Sequence, residues 1–176
     1  MTPDLLRRLA QLGLDLPPPP APRGAYDSVV IHDNVAYVSG QVCRIGDAVI
    51  AGPVTYETPS ETIQQAAQTC VLRALSALAA ALPVGTEIER TLFLRGFVNA
   101  SPGFGRHGAV LDAASTLLHE LLGPRGRHAR SAVGVASLPD GALLEIELTV
   151  ALSVAPVTGQ HREPDDNAPA GRTSTV

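Results

Sequence analysis

Apolar and polar residues alternate most regularly between residues 143 and 154. One side of this segment carries only apolar side chains: Leu144, Ile146, Leu148, Val150, Leu152 and Val154. The positions between them hold Glu145, Glu147, Thr149, Ala151 and Ser153. A period of two predicts a β-strand that buries one face in the core. Because the apolar row is so regular, we expect another copy of the chain to cover the strand's open edge.

Two other segments repeat their apolar residues at helical spacing. The first, 58–82, places one stripe of small and apolar side chains toward the core: Ile63, Ala67, Cys70, Val71, Ala74, Leu78 and Leu82. Its start has the pattern of a capping box, with Thr58 as N-cap, Pro59 at the first helical position and Glu61 three residues after the cap. The second helix is predicted at 108–122, and Gly123 is predicted to end it.

Shorter segments complete the predicted sheet. Residues 27–39 have the pattern of a β-hairpin that turns near Asp33–Asn34. Strands are also predicted at 89–100 and 131–136, and a turn at 138–141 leads from the latter into the final strand, which predicts that these two pair as a hairpin. The order ββ(β)–α–β–α–ββ predicts an α+β domain with two helices packed on one face of a single sheet.

The two ends of the chain differ from this central region. Residues 4–13 have the spacing of a short amphipathic helix, and four prolines at 17–20 impose a stiff, extended strap. We therefore divide the chain into an N-terminal helix and strap at 1–19, a domain at 20–155 and a tail at 156–176. The tail is rich in Gly, Pro, Asp, Thr and Ser, which predicts disorder and predicts that truncation leaves the fold intact.

Composition and charge narrow the function. The 176 residues are 45% apolar, and the net charge is −4, with a sequence pI of about 5.7. An acidic surface argues against a nucleic-acid partner and against an anionic membrane, because both attract basic faces. The longest apolar runs are shorter than a membrane span. Two cysteines are too few for a disulfide framework, which favours a reducing, cytoplasmic setting.

The chain contains no lysine, so all 13 of its basic residues are arginine. Without lysine the protein has no amine for a Schiff base, which excludes ordinary pyridoxal-phosphate enzymes and lysine aldolases. A Walker loop, which needs lysine for its phosphates, is excluded as well. Anion recognition falls to guanidinium groups, which bind carboxylates and phosphates through two parallel hydrogen bonds.

Arginines are concentrated just before the predicted strand at 131–136, where Arg130 starts that strand. If the last two strands pair, Glu145 approaches Arg130 across the sheet. The arginine could then hold a substrate carboxylate while the glutamate activates a water molecule. From spacing alone, an ordinary exposed ion pair is the more common explanation of such a pattern, so both interpretations stay open at this point.

Several segments resemble those of one known family. The longest is Ala-Arg-Ser-Ala-Val-Gly-Val-Ala-Ser-Leu-Pro at 129–139, followed by Leu-Glu-Ile-Glu at 144–147. Val-Ala-Tyr-Val-Ser-Gly-Gln at 35–41 and Gly-Ala-Tyr at 24–26 are shorter and less specific. Together they resemble the reactive intermediate deaminase (Rid, YjgF-like) family over about residues 20–154, and the arginine-rich run indicates a less characterised branch.

This resemblance implies a chorismate-mutase-like α+β fold, a homotrimer and pockets at the subunit interfaces. It implies hydrolysis of 2-imino or 2-enamino acids to 2-keto acids and ammonia, without a metal or an organic cofactor. By position, Arg130 corresponds to the family's carboxylate-binding arginine and Glu145 to its water-associated glutamate. Tyr26 corresponds to a pocket tyrosine from the other side of the interface, and Ser39 and Gly40 to the pocket floor.

The chain departs from the family pattern at three places. Ala132 stands where the family often has cysteine, so only the backbone contributes there. Asp112 stands where an asparagine is usual near the start of the second helix. The loop at 101–107 does not align with the family's loop, which usually shapes the pocket. We nevertheless include Ala132 and Asp112 among the predicted substrate-binding residues.

The departures keep other functions open. The protein could be a trimer that binds a small carboxylic acid without converting it, or a pathway-specific enzyme on the same fold, because fold does not fix function.

No metal site is predicted, since the histidines have no ligand spacing with cysteine or carboxylate: His32, His107, His119 and His128. Cys70 is predicted in the core, and Cys43 near the pocket. The family's old ribonuclease label is not supported, because three Tyr, three Phe and no Trp offer little for base stacking.

Overall fold

The structure is a computed structural model that describes residues 3–154. Its helices are α1 (Pro3–Gln11), α2 (Ser60–Ala81) and α3 (His107–Leu122). Its strands are β1 (Val29–His32), β2 (Val35–Val42), β3 (Arg44–Ile45), β4 (Ala48–Val49), β5 (Thr86–Asn99), β6 (Ala129–Val135) and β7 (Leu144–Val154). The α+β class predicted from the element order is confirmed. None of these helices is long and apolar enough to cross a membrane.

The main sheet is mixed and has the order β1-β2-β7-β5-β6. Neighbouring strands are antiparallel except β5 and β6, which α3 connects as a parallel pair. β3 and β4 form a separate two-stranded ribbon. α2 and α3 contact each other and cover one face of the sheet, where β7 buries Leu144, Ile146, Leu148, Val150 and Leu152. The opposite face carries the odd-numbered residues of β7.

The predicted hairpin between the last two strands is wrong. β6 pairs only with β5, whereas β7 lies between β2 and β5 in the middle of the sheet. The chain leaves β6 through a short 3-10 turn at Pro139–Gly141 and passes to the far side of β5. β7 therefore has no open edge, so the apolar row of this strand is explained by the helices above it, not by a second copy of the chain.

The start of α2 also differs from the prediction. Pro59 is the N-cap, and no side chain caps the helix. The Thr58 hydroxyl instead accepts a hydrogen bond from the Thr55 backbone N–H at 2.9 Å, while the N–H groups of Thr62 and Ile63 donate to the Pro59 carbonyl. The capping box was wrong because a local turn before the helix uses the same hydroxyl.

The proline strap is fixed to the domain at both ends. Ser76 of α2 donates a hydrogen bond to the Pro17 carbonyl at 2.6 Å, and Ser28 donates to the Pro20 carbonyl at 3.1 Å. Proline has no N–H, so these carbonyls are the polar backbone groups of the strap that need partners. Before the strap, α1 buries Leu5 and Leu9 in the core. The predicted tail at 156–176 lies outside the described residues.

Gly126 provides a test of the packing behind β6. A Cβ atom at this position would overlap the Leu118 carbonyl oxygen at the end of α3, which is backbone and cannot rotate away. We expect Gly126→Ala to lower the free energy of unfolding by about 1–3 kcal/mol. Gly105→Ala is the matched control, because a Cβ atom there meets nothing within 4 Å. Urea denaturation of both variants measures the effect, and equal stabilities would contradict this packing.

Candidate functional site

Arg130 lies near the start of β6 and points to the helix-covered face of the sheet. It is paired with Leu94 of β5, which is buried beneath the helices, so the two side chains share that face. Its Nη1 donates to Asp112 Oδ1 at 2.8 Å and to Ser115 Oγ at 3.0 Å. Both contacts use Nη1, so the edge formed by Nε and Nη2 has no hydrogen-bond partner among residues 3–154. The side chain is 27% exposed, which leaves this edge open to a ligand.

His128 extends these contacts into a network. Its Nδ1 lies 2.6 Å from the Gly126 carbonyl oxygen, and its Nε2 lies 3.1 Å from Ser115 Oγ. Because a carbonyl oxygen only accepts, we assign the ring proton to Nδ1, and Nε2 then accepts from the Ser115 hydroxyl. Burial lowers the pKa of His128, and the Arg130 charge lowers it further, so the ring stays neutral in this role. We call Arg130, Asp112, Ser115 and His128 the Arg130 network.

Sequence analysis missed two members of this network. Ser115 received no role, and His128 was considered only as a metal ligand. A signal was available for both, because His128 and Arg130 are two residues apart in extended chain and therefore face the same way. Asp112 and Ser115 are three apart on a helix and also share a side.

Glu145 occupies a different part of the molecule. It lines a cavity of about 150 Å³ together with Tyr26, Gly40, Gln41, Arg44 and Arg73, which we call the Glu145 cavity. A Cβ atom on Gly40 would overlap the Glu145 carboxylate, so only glycine allows this close approach. Burial raises the pKa of Glu145, and the neighbouring Glu147 carboxylate adds to the shift. A carboxyl group with a raised pKa is better suited to accept a proton near neutral pH.

The other predicted pocket residues divide between these two places. Tyr26 is 52% exposed, and its hydroxyl accepts a hydrogen bond from the Arg23 backbone N–H. Ser39 precedes Gly40, and its hydroxyl donates to the Asp27 carbonyl at 2.7 Å, which supports the floor of the cavity without lining it. Ala132 lies two residues after Arg130, on the same face of β6, and is partly buried against the core.

The structure does not bring Arg130 and Glu145 together in one protomer. β5 separates their strands, and Glu145 is level with Val133 rather than with Arg130, so their Cα atoms are roughly 14 Å apart. Arg130 also points to the helix-covered face, whereas Glu145 points to the opposite face. The predicted approach across the sheet is therefore wrong, and its cause is the incorrect hairpin.

The cysteines and the loop at 101–107 lie apart from these groups. Cys43 is fully buried and donates to the Ile50 carbonyl, so it does not border the cavity as the sequence suggested. Cys70 is in the core, as predicted. The loop turns Phe104 and Arg106 toward a groove of about 680 Å³ between α2 and α3, where both contact the Tyr56 ring. Among residues 3–154, no three His, Cys, Asp or Glu side chains form a metal-binding group.

Comparison with known proteins places this fold. A family model described as Endoribonuclease L-PSP matches residues 18–152. The chain belongs to the endoribonuclease L-PSP family, the YjgF-like or Rid group. Within this family, Protein TCP17 of Trypanosoma cruzi is 38% identical over 148 residues, which are 82% of this chain and 92% of that protein.

Two solved structures of the endoribonuclease L-PSP fold show the same architecture. The protein Atu1372 of Agrobacterium tumefaciens is 35% identical, with a TM-score of 0.77 over 85% of this chain and 93% of that chain. The YjgF gene product of E. coli is 25% identical, with a TM-score of 0.52 over 76% of this chain and 92% of that chain. The names TCP17 and Atu1372 state no reaction.

Proposed function

We propose that the protein hydrolyses 2-imino or 2-enamino acids to 2-keto acids and ammonia, without a cofactor. The observation that carries this proposal is the unpaired Nε–Nη2 edge of Arg130. Two parallel N–H donors at that edge match the two oxygens of a carboxylate. Asp112 and Ser115 hold the guanidinium from its other side, so the donors are already oriented when the substrate arrives.

The proposed site needs two protomers, because one protomer separates Arg130 from Glu145. A homotrimer would place the Arg130 network of one subunit against the Glu145 cavity of the next. The sheet face opposite the helices supports such an assembly, since large apolar side chains are exposed there: Val30, Tyr37, Leu92 and Val133. An uncovered apolar patch of this kind is typical of a subunit interface.

In the proposed reaction, Arg130 holds the substrate carboxylate and Glu145 accepts a proton from water. The water oxygen bonds to the imine carbon, and the proton passes to the nitrogen, which gives a tetrahedral carbinolamine. Glu145 then moves the hydroxyl proton of the carbinolamine to its amino nitrogen, and the C–N bond breaks. Ammonia leaves with the electron pair of that bond, and the hydroxyl oxygen becomes the carbonyl oxygen. Gly40 leaves room for the Glu145 carboxylate, Tyr26 borders the substrate, and Ser39 supports the cavity floor from behind Gly40. Ala132 offers only its backbone and a methyl group.

One observation favours binding without conversion as the second candidate. Asp112 pairs with Arg130 at 2.8 Å and so neutralises much of the charge that would attract a substrate carboxylate. A family asparagine at this position would leave that charge intact. A pathway-specific enzyme with another carbonyl substrate stays possible on the same residues. The net charge of −4 supports a small-molecule substrate over RNA, and the two free thiols support a cytoplasmic setting.

Complementation between two inactive variants tests the shared site. Co-expressed Arg130→Ala and Glu145→Gln chains should form mixed trimers in which about one quarter of the interface sites contain both native side chains. We therefore expect about a quarter of wild-type hydrolysis of 2-iminobutyrate from the mixture, and almost none from either variant alone. Light scattering establishes the trimer mass of each sample.

The same experiment can refute the proposal. A monomer mass at micromolar concentration, or a mixture no more active than its components, would exclude a site made by two subunits. A wild-type protein that does not exceed spontaneous hydrolysis would remove the enzymatic function for these substrates. Binding of 2-oxobutyrate that still depends on Arg130 would then favour the non-catalytic candidate.

A further inference from the structure

Three arginines converge on the Glu145 cavity. Arg23, Arg44 and Arg73 all line it, and the same three side chains line an adjacent groove of about 660 Å³ along the proline strap. Arg44 is buried, pairs with Asp140 through Nη2 and donates from Nη1 to the Asp47 carbonyl at 2.7 Å. Arg23 reaches the same Asp140 oxygen at 3.3 Å. The Asp140 carboxylate is therefore already paired with two of the three guanidinium groups, those of Arg23 and Arg44.

Of these three arginines, Arg73 is the one whose guanidinium has no hydrogen-bond or ion-pair partner among residues 3–154. It is the only basic residue of α2, a helix whose other charged residue is Glu61 at its first turn. Its Nε is buried and has no hydrogen-bond partner, and the side chain forms no ion pair with residues 3–154. Burial lowers the pKa of Arg73, and the charges of Arg44 and Arg23 add to the shift. A buried donor without an acceptor is costly, so this group favours an anion.

Glu145 does not serve as that anion. It lines the same cavity, yet no hydrogen bond or ion pair joins it to Arg73. Its pKa is raised by burial, whereas a paired guanidinium would lower it. The cavity thus contains a carboxylate that stays available as a base and, beside it, a cation that stays available for a ligand.

We propose that Arg73, supported by Arg44, binds a second oxyanion of the same substrate, a carboxylate or a phosphate at the end opposite the Arg130 carboxylate. This inference rests on the proposed function, because it extends the substrate of that site. The preferred substrates are then dianionic imino acids. The cavity of about 150 Å³ has room for one such group, and Tyr26, Ser28 and Gln41 supply further polar lining.

The proline strap contributes to this site by position. Pro20 and Ala21 line the Glu145 cavity, and the Ser28 hydroxyl holds the Pro20 carbonyl at 3.1 Å. Pro20 has no N–H, so this part of the wall offers the anion no donor that competes with the arginines.

Isothermal titration calorimetry of the full chain tests the inference with three ligands of different charge. They are 2-oxobutyrate, 2-oxoglutarate and 3-phosphohydroxypyruvate, which carry one carboxylate, two carboxylates, and a carboxylate with a phosphate. We expect at least one of the two ligands with a second anionic group to bind about tenfold tighter than 2-oxobutyrate, and the tighter of these two identifies the preferred oxyanion. Arg73→Gln should remove this preference and leave 2-oxobutyrate affinity unchanged, whereas Arg7→Gln on α1 makes the same charge change and should have no effect.

Arg73→Lys keeps the charge but loses the planar fork, so it should retain part of the preference and covers the case in which Arg73→Gln fails to fold. Equal affinities for all three ligands, or an Arg73→Gln variant that weakens all three alike, would overturn the inference. Hydrolysis of 2-iminobutyrate, measured on the same samples, separates it from the proposed function. Hydrolysis of 2-iminobutyrate without tighter binding of the ligands that carry two anionic groups would reject only this inference. Tighter binding of those ligands that depends on Arg73, without hydrolysis, would reject only the proposed enzymatic function.

Discussion

Arg130→Ala is expected to reduce kcat/KM for 2-iminobutyrate by roughly 100-fold or more, because anchoring and orientation of the substrate are lost together. Arg130→Lys should restore only part of the activity, since an ammonium group cannot make the two parallel hydrogen bonds of a guanidinium. Ammonia release from the imine, generated in the assay, measures both variants. Circular dichroism and light scattering must show that each is folded and assembled like the wild type.

Asp112→Asn is the informative control for this result. The amide keeps a hydrogen-bond acceptor for Arg130 Nη1 but removes the charge that neutralises the guanidinium. If Arg130 binds the substrate carboxylate, this variant should lower KM. An Arg130→Ala variant that clears imines as fast as the wild type would exclude Arg130 as the anchor, whatever Asp112→Asn does.

Glu145→Gln is expected to lower kcat by roughly 100-fold while KM changes little, because the amide preserves shape but cannot accept the proton from water. Glu147→Gln is the matched control on the same strand. Glu147 pairs with Arg95 at 2.8 Å on the exposed sheet face, so its loss should leave kcat unchanged. Removing its charge should also move the acidic limb of the pH profile to lower pH, because the Glu147 carboxylate helps to raise the pKa of Glu145.

The stability difference between Glu145→Gln and the wild type should depend on pH, in a direction set by the raised pKa of Glu145. The folded protein binds this proton more tightly than the unfolded chain, so the wild type loses stability as the pH rises from the ordinary glutamate pKa through the raised value. Glutamine does not titrate. The variant should therefore melt at a higher temperature than the wild type near pH 7, and the difference should disappear below about pH 4. A lower melting temperature near pH 7 would mean that the carboxylate has a stabilising partner.

Much of the fold was predictable from the chain because the signals are local. The turn at Asp33–Asn34, the stripe of α2 and the alternation in β7 each follow from spacing within one element. Strand order is not a local signal, because it depends on which strand edges are still unpaired when the last strand adds to the sheet. β6 and β7 are neighbours in sequence, yet the parallel pairing of β5 with β6 leaves β7 to pair with the other side of β5.

The site was predictable only in part, for the same reason. The resemblance to known sequences supplied Arg130, Glu145 and Gly40 as candidates, and their placement in two separate groups came from the topology. Arg73 gave no usable signal, since a single arginine on a helix is usually a solvated side chain. Only the packing of α2 against the strap and the β3 region half-buries this side chain and buries its Nε.

The separation of Arg130 and Glu145 on opposite faces of one sheet bears on how this sequence can diverge. Within one protomer, residues roughly 14 Å apart without shared neighbours contribute independently to the stability of its fold, so their mutational free energies of unfolding should add. Substitutions around Arg130 can therefore accumulate without disturbing the packing around Glu145 in the same protomer. Substitutions around Glu145 likewise leave the packing around Arg130 unchanged. Selection could adjust what the protein recognises and how fast it reacts through separate sets of mutations.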